Sequence, residues 1–122
     1  MSDPVAIDSI SAVTLGTHDM NRAIDFYRAV GFDLVYGGRD TAFTAFRAGH
    51  NYLNLSAWDP AITWGLWGRI VLYVGDVDGQ FRRVVEAGYT PEFEPRDAPW
   101  GERYFHVRDP EGHELSFAKR LP

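Results

Sequence analysis

The chain has 122 residues, of which 45% are hydrophobic and 24% charged, which is enough for one hydrophobic core and too little for two. Its formal net charge of −5 and the absence of any Lys/Arg run exclude the electrostatic footprint of a nucleic-acid-binding surface. It contains no cysteine, so disulfides and thiolate chemistry are excluded as well. We therefore expect a single domain over residues 1–122, without a nucleic-acid partner.

The N-terminal segment, Met1-Ser2-Asp3-Pro4, lacks the basic start and the apolar core of a signal peptide. The longest apolar run, Ile70 to Val74, is far shorter than a membrane span. These two features lead us to expect a cytoplasmic protein with no membrane partner.

The first half of the chain has the pattern of a strand, a capped helix and three further strands. Val13 to Leu15 alternates as a strand, and Asp19 suits a helix N-cap because its carboxylate can accept hydrogen bonds from the free amides of the first turn. Apolar residues at helical spacing then lead to Gly31, which suits the residue after a helix, where φ is positive. Strands are predicted at 33–36, 41–47 and 51–56, the last two divided by a hairpin signal at Ala48-Gly49-His50.

The second half repeats this order 57 residues later, since Gly31-Phe32 returns as Gly88-Tyr89. Its predicted strands lie at 70–74, 89–93, 103–107 and 114–118, with a turn at Asp109-Pro110-Glu111-Gly112. A repeat of this kind cannot bury its helix face alone. We therefore predict two tandem βαβββ modules, at about 8–56 and 68–119, that share a groove.

A Trp-rich linker at 57–67 joins the modules and contains Trp58, Trp64 and Trp67, three of the four tryptophans. One interpretation is that these rings close over the core or over a dimer seam. In a second, one or two of them form walls of a ligand pocket, and in a third they contact a protein partner.

Alternation along the strands assigns their faces, because the helices cover one side of each sheet and need apolar contacts. The large aliphatic side chains mark that side: Val13, Leu15, Leu53, Leu55, Ile70, Leu72, Val74, Leu115 and Phe117. The side chains at the alternate strand positions point into a concave face. They are small, polar or aromatic, as in a cavity with hydrogen-bonding walls. The expected fold class is α+β: a concave, barrel-like mixed sheet made by the two modules, with the helices on the outside.

These features resemble the vicinal oxygen chelate superfamily, which includes glyoxalase I, extradiol dioxygenases, and fosfomycin and bleomycin resistance proteins. The resemblance covers about residues 8 to 119. It is carried by Val13-Thr14-Leu15, Asp19, 23–27, Val30-Gly31-Phe32, 68–74, 99–105 and 107–112. The stretch from Trp100 to Phe105, followed by Asp-Pro-Glu-Gly, looks most like the bleomycin resistance branch.

Metal-dependent members of this family place His or Glu at four concave positions, two in each module, to bind a divalent ion that polarises vicinal oxygens of the substrate. The matching positions in this chain are Ala12, Asn54, Arg69 and Ser116. Alanine has no donor atom, Arg69 brings a positive charge, and the other two are weak oxygen ligands. A one-residue slip in the alignment would place Leu53 or Ile70 there, which is no better. The resemblance therefore implies a protein with no metal and no other cofactor.

Our leading hypothesis is a non-catalytic binding protein that sequesters a small aromatic or heterocyclic molecule, such as an antibiotic. The expected ligand-binding residues are Tyr52, Asn54, Arg69, Tyr73, Trp100, Tyr104, Glu114 and Ser116, whose rings could stack on a flat ligand and whose polar groups could fix it. A second interpretation is that Arg69 and Glu114 pair with each other and hold the groove open. The excess of acidic over basic residues in the chain favours a cationic ligand.

The alternative is a metal-dependent enzyme of the glyoxalase, epimerase or dioxygenase type with altered ligands. In such an enzyme His106 could bind a metal together with His113 or Glu114 across the final hairpin. The only catalytic candidates for a metal-free acid–base variant are Glu114 and His106. For His18, His50 and His113 we expect surface or turn roles. The resemblance and the exposed sheet edges indicate a homodimer, with the groove formed within one chain or across two.

Overall fold

The computed structural model describes residues 3–122 as two βαβββ modules joined by an extended linker. Module 1 consists of β1 (Ala12–Thr17), α1 (Met20–Ala29), β2 (Asp33–Tyr36), β3 (Phe43–Ala48) and β4 (Asn51–Ala57). Module 2 consists of β5 (Arg69–Tyr73), α2 (Val77–Glu86), β6 (Arg96–Asp97), β7 (Glu102–Arg108) and β8 (Glu114–Arg120). The predicted α+β class and the tandem βαβββ order are confirmed.

Each module forms one four-stranded mixed sheet, with the order β1-β4-β3-β2 in module 1 and β5-β8-β7-β6 in module 2. The first and last strands of each module, β1 with β4 and β5 with β8, are parallel neighbours, and the other pairs are antiparallel. Strands β1 and β5 are therefore edges of separate sheets. The two sheets do not close into a barrel.

Both helices begin and end where the sequence predicts. The carboxylate of Asp19 accepts a hydrogen bond from the amide of Arg22 at 3.1 Å, and that of Asp76 from Gly79 at 2.9 Å. The glycines after the helices, Gly31 and Gly88, have φ of 114° and 94°, a region that residues with a Cβ rarely adopt. Each helix has ten residues, and neither could cross a membrane.

The strand predicted at 89–93 is wrong. The ladder on this side of β7 is reduced to the two residues of β6, Arg96 and Asp97. Pro91 and Pro95 have no amide hydrogen, so a continuous ladder along this segment cannot form. One backbone bond remains, from the Glu92 amide to the His106 carbonyl at 2.8 Å, and it keeps the segment beside β7.

The hydrophobic core lies between the sheets and the two helices. All nine side chains assigned to the helix-covered faces belong to the core cluster or pack against it, which confirms the predicted parity. The modules meet through this layer. The Phe26 ring of α1 packs edge-on against Tyr89 of module 2 at 4.8 Å between centroids, and the Tyr27 hydroxyl donates to Asp109 at 2.7 Å.

The linker tryptophans pack around His113, a buried residue of the β7–β8 turn. Trp64 stacks on the imidazole at 5.1 Å between centroids, and the Trp67 indole donates to Nδ1 at 2.7 Å. An indole nitrogen can only donate, so Nδ1 is the acceptor and the protonated Nε2 donates to the Gly16 carbonyl at 2.9 Å. The linker therefore packs across the module junction, and His113 makes contacts beyond those of a turn residue.

Candidate functional site

Strand register places most of the predicted ligand-binding residues on one side of the second sheet. Arg69 of β5 lies opposite Glu114 of β8, and Ser116 lies opposite His106 of β7. Alternation then puts these four side chains on the side away from α2. We define the module 2 concave face as Arg69, Tyr73, Trp100, Tyr104, His106, Glu114 and Ser116.

The floor of this face is a buried carboxylate. Glu114 is 3% exposed, and its Oε1 lies 3.0 Å from Arg69 Nε and 2.8 Å from His106 Nδ1. Its second oxygen lies 3.9 Å from Arg108 Nη2. A carboxylate this buried is stable only when it is paired. The structure thus brings together the two catalytic candidates, His106 and Glu114, and it also forms the Arg69–Glu114 pair that the sequence left open.

His106 lies half-buried between two aromatic rings, with its centroid 5.0 Å from Phe93 and 5.2 Å from Tyr104. Burial lowers the pKa of this imidazole below its usual value, and the opposing charge of Glu114 does not reverse the shift. His106 is therefore mostly neutral at pH 7. It offers the module 2 concave face a hydrogen-bonding group rather than a positive charge.

Aromatic rings form an exposed rim around the floor. Trp100 is 66% exposed and Tyr73 58%, and the Trp100 ring lies 5.5 Å from Tyr104. Glu102 fixes two of these rings, because its carboxylate accepts hydrogen bonds from the Trp100 indole, at 2.8 Å, and from the Tyr73 hydroxyl. Sequence reasoning missed Glu102, although it shares the strand parity of Tyr104 and His106.

Arg96 is a second residue that sequence reasoning missed. Its guanidinium lies 3.7 Å from the centroid of the Phe93 ring and 5.6 Å from that of Tyr104. A cation so placed over aromatic faces is stabilised by their negative π-clouds. Because we predicted a regular strand at 89–93, we did not expect Phe93 to lie beside β7 or Arg96 to contact its ring.

The remaining predicted residues, Tyr52 and Asn54, lie on the sheet of module 1. The Asn54 amide lies 3.3 Å from the hydroxyl of Thr14, its register partner on β1. The Arg47 guanidinium lies over the Tyr52 ring at 5.5 Å from the centroid. These residues form a separate concave face rather than part of the floor around Glu114.

A groove of about 720 Å³ separates the edges of β1 and β5, which is within the size range of small-molecule sites. Of the predicted residues, Tyr52, Arg69 and Tyr73 line it, and Trp67 of the linker borders it. The others, Asn54, Trp100, Tyr104, Glu114 and Ser116, lie outside it on the open concave faces. The groove and the module 2 concave face are continuous through Arg69 and Tyr73.

The residues at the four metal positions implied by the resemblance do not fit a divalent ion. Both modules have the same register there, with Ala12 and Arg69 in equivalent places, and the Arg69 guanidinium binds Glu114. A cation would have to displace that guanidinium, and Ala12 would offer it no donor atom.

A different set of metal-ligating side chains lies nearby. Glu92, His106 and Glu114 each offer a ligand atom, all within 4.8 Å of one another. However, Glu92 lies 2.9 Å from Arg108 and Glu114 lies 3.0 Å from Arg69. The two arginines already neutralise both carboxylates, so the cluster has no surplus negative charge for a cation.

A family model described as the glyoxalase/bleomycin resistance protein/dioxygenase superfamily matches residues 9–117. Among curated proteins, uncharacterized proteins of Mycobacterium bovis and Mycobacterium tuberculosis are 44% identical over 50 residues. That segment is 41% of this chain but only 33% and 29% of those proteins, so the match covers about a third of their length.

Solved structures are similar over nearly the whole chain. TioX from Micromonospora sp. ML1 has a TM-score of 0.75 and 28% identity, covering 93% of this chain and 100% of that one. Lactoylglutathione lyase from Agrobacterium tumefaciens has a TM-score of 0.75 and 23% identity, covering 93% and 94%. A bleomycin resistance determinant encoded on transposon Tn5 has a TM-score of 0.71 and 21% identity, covering 93% and 98%. The last two likenesses show a shared fold alone.

Proposed function

This chain belongs to the glyoxalase/bleomycin resistance protein/dioxygenase superfamily, and we propose that it is a metal-free binding protein that sequesters a small aromatic or heterocyclic molecule between its two modules. An antibiotic is one such ligand, since a bleomycin resistance determinant has the same fold.

The observation that carries the proposal is the module 2 concave face. It combines exposed rings, Trp100 and Tyr73, with a buried floor whose polar groups are already paired. A flat ligand can therefore cover the rings without leaving a charge unpaired beneath it. Stacking on one aromatic side chain contributes about 0.5–1.5 kcal/mol beyond the area it buries.

The donor set at the family's metal positions supports the metal-free part of the proposal. Ala12 has no ligand atom, and Arg69 is a cation bound to Glu114. Residues that hold a ligand by stacking and hydrogen bonds need no metal.

Titration with planar heterocycles and with glycopeptides, followed by tryptophan fluorescence, tests the proposal. We expect saturable quenching by at least one class, and Trp100→Ala should weaken that binding about fivefold, since about 1 kcal/mol of stacking is lost. Tyr36→Ala, which removes an exposed ring from β2 of module 1, is the matched control and should leave binding unchanged. An absence of response across both classes would contradict the proposal.

The second candidate is a metal-dependent enzyme of the same superfamily with altered ligands. The grouping of Glu92, His106 and Glu114 is the observation behind it, but a metal ion could bind there only if Arg69 and Arg108 released the two carboxylates. Elemental analysis of protein purified with and without added nickel, zinc, manganese or iron separates the two candidates. Stoichiometric metal, lost together with function on chelation, would favour the enzyme.

The proposal also includes a cytoplasmic homodimer. Apolar side chains are exposed on the segment before β1, namely Val5, Ile7 and Ile10, and on β5, namely Val71 and Tyr73. Pairing of two chains would cover them and the free edge strands. Light scattering should give twice the chain mass of 13.8 kDa, and a monomer at all concentrations would exclude the dimer.

A further inference from the structure

The charges that line the groove between β1 and β5 are all of one sign. Three arginines line it, Arg47, Arg69 and Arg83, and no Asp, Glu or Lys of residues 3–122 does so. The whole chain has a formal net charge of −5, so the local charge is opposite to the overall charge. Arg69 is paired with Glu114 just outside the groove, so the surplus positive charge of the groove comes from Arg47 and Arg83. Salt screens the more distant acidic residues more strongly than these near charges.

Arg47 is the least engaged of the three arginines. Its side chain on β3 is exposed, and its guanidinium lies 5.5 Å from the centroid of the Tyr52 ring. Within the described chain, every arginine–carboxylate pair closer than 4.0 Å involves another arginine. All five of its N–H donors are therefore available to a ligand.

The other two arginines are anchored through Nε. Arg83 donates from Nε to the Ala29 carbonyl at the end of α1, at 3.0 Å, and Arg69 donates from Nε to Glu114, also at 3.0 Å. In residues 3–122, no hydrogen bond is assigned to the terminal nitrogens of either side chain. The anchors fix the two guanidinium groups while leaving their outer donors for a ligand.

Apart from Asn51 and Gln80, the rest of the groove is apolar or aromatic. Val13, Leu53, Ile70, Leu72 and Phe117 contribute to its walls, and Trp67, Tyr52 and Tyr73 add aromatic rings. Arginine offers a planar pair of donors that matches the two oxygens of a carboxylate, and such a pair is stronger where apolar walls exclude water.

We propose that this groove selects a ligand with a flat apolar body and a carboxylate, which Arg47 binds and to which Arg83 adds a second unpaired positive charge. The inference rests on the proposed function and names the ligand class for the groove, which is continuous with the module 2 concave face through Arg69 and Tyr73. It replaces the sequence-based expectation of a cationic ligand, because the acidic residues that make the chain negative lie outside the groove.

An alternative occupant is a strand from a second copy of the chain, since β1 and β5 are both edge strands. An apolar strand would satisfy the edges but would leave the arginine donors without an anionic partner. The charge complementarity therefore favours a small carboxylate over a strand.

Calorimetric titration with three probes of one shape tests the charge selectivity: naphthalene-2-carboxylate, naphthalene-2-carboxamide and 2-(aminomethyl)naphthalene. We expect the carboxylate to bind at least about tenfold more tightly than the amide and the amine to bind weakest, with the carboxylate's advantage falling as salt is raised.

Arg47→Gln should remove most of the carboxylate's advantage over the amide, and it breaks no ion pair within residues 3–122 because the side chain contacts only the Tyr52 ring. Arg82→Gln is the matched control, since it makes the same charge change on α2 outside the groove. Circular dichroism of both variants should match the parent protein.

Four outcomes overturn the inference. If the amide binds as tightly as the carboxylate, or if Arg47→Gln leaves the preference intact, charge selection fails while the proposed function stands. If no probe binds and sedimentation shows that Arg47→Gln changes a monomer–dimer equilibrium, the occupant is a second copy. If none of the three probes and none of the planar heterocycles or glycopeptides binds, the proposed function itself is contradicted.

Discussion

Gly16 has no Cβ, and this allows the Trp58 ring of the linker to pack directly against β1. A Cβ at this position would lie 2.4 Å from the Trp58 ring, a separation that real atoms do not adopt. Gly16→Ala should therefore push the ring away and lower the free energy of unfolding by about 1–3 kcal/mol.

Chemical denaturation measures this change, and Gly65→Ala is the matched control. A methyl group at Gly65 would meet no atom within 4 Å beyond its chain neighbours, and the residue has no positive φ, so this variant should be as stable as the parent. Equal stability of both variants would show that the linker does not pack on β1 as described.

His106 predicts a pH dependence of stability. Burial lowers the pKa of its imidazole in the folded state below the value of about 6.5 for an unfolded chain. As the pH falls, the unfolded chain takes up the proton first. The stability contributed by the neutral ring is thus complete above pH 6.5 and is lost as the pH falls toward the folded-state pKa.

We therefore expect His106→Gln to flatten the curve of unfolding free energy against pH in the interval just below pH 6.5, compared with an otherwise identical His50→Gln control. His50 lies exposed beside a hairpin turn. An NMR titration that placed the His106 pKa above 6.5 would contradict the account.

Sequence correctly predicted which side chains share a face of a strand, because alternation along the strand alone decides that. Parity placed Arg69 and Glu114 on one face, and the structure pairs them. It failed for His113, whose partners come from the linker and from β1, far away in sequence. No local pattern encodes a contact of that kind.

At the scale of elements, the aspartate before each helix is the feature that the sequence specifies most directly. Asp76 accepts a hydrogen bond from the Gly79 amide in the first turn of α2 at 2.9 Å. Asp76→Ala should cost about 1 kcal/mol, whereas Asp76→Asn keeps an acceptor oxygen and should cost much less. Thermal melts of the two variants compare these costs, and equal melting temperatures would contradict the capping role.

The elements that were predicted correctly are those whose signals lie close together in the sequence. Capping residues, helical spacing and turn glycines lie close together in the chain, so both helices and the final hairpin were predicted correctly. The segment at 89–93 alternates like a strand, but Pro91 and Pro95 interrupt the ladder that β7 would need. In this segment the prolines, and not the alternation, decide the structure.

At the scale of the molecule, one buried hydrogen bond joins α1 of module 1 to the last turn of module 2. The Tyr27 hydroxyl donates to Asp109 Oδ2 at 2.7 Å, and Asp109 Oδ1 accepts from the amides of Glu111 and His113. Burial raises the pKa of the Asp109 carboxyl, and the Tyr27 hydroxyl opposes that rise.

Tyr27→Phe leaves one oxygen of this buried carboxylate without a donor, so we expect it to lower the free energy of unfolding by about 1–3 kcal/mol. It should also raise the pKa of Asp109 further. Urea denaturation checks the first effect, with Tyr36→Phe on the exposed edge strand β2 as the control. An unchanged midpoint for Tyr27→Phe would show that the two modules are not held together at this contact.

The tandem repeat predicted the two modules, but it could not predict how their faces are used. The groove charge depends on Arg47, Arg69 and Arg83, which come from different strands and from α2. These three residues come together only in the folded molecule, so composition led to the expectation of a cationic ligand, whereas the groove is the basis of our proposal of an anionic one.

The central claim is that ligand binding needs no metal. Calorimetric titration of naphthalene-2-carboxylate into protein treated with EDTA, and into the same protein supplied with zinc, nickel, manganese or iron, tests it most directly. The account predicts saturable binding with the same affinity in every sample. Binding that appears only after a metal is added would contradict it.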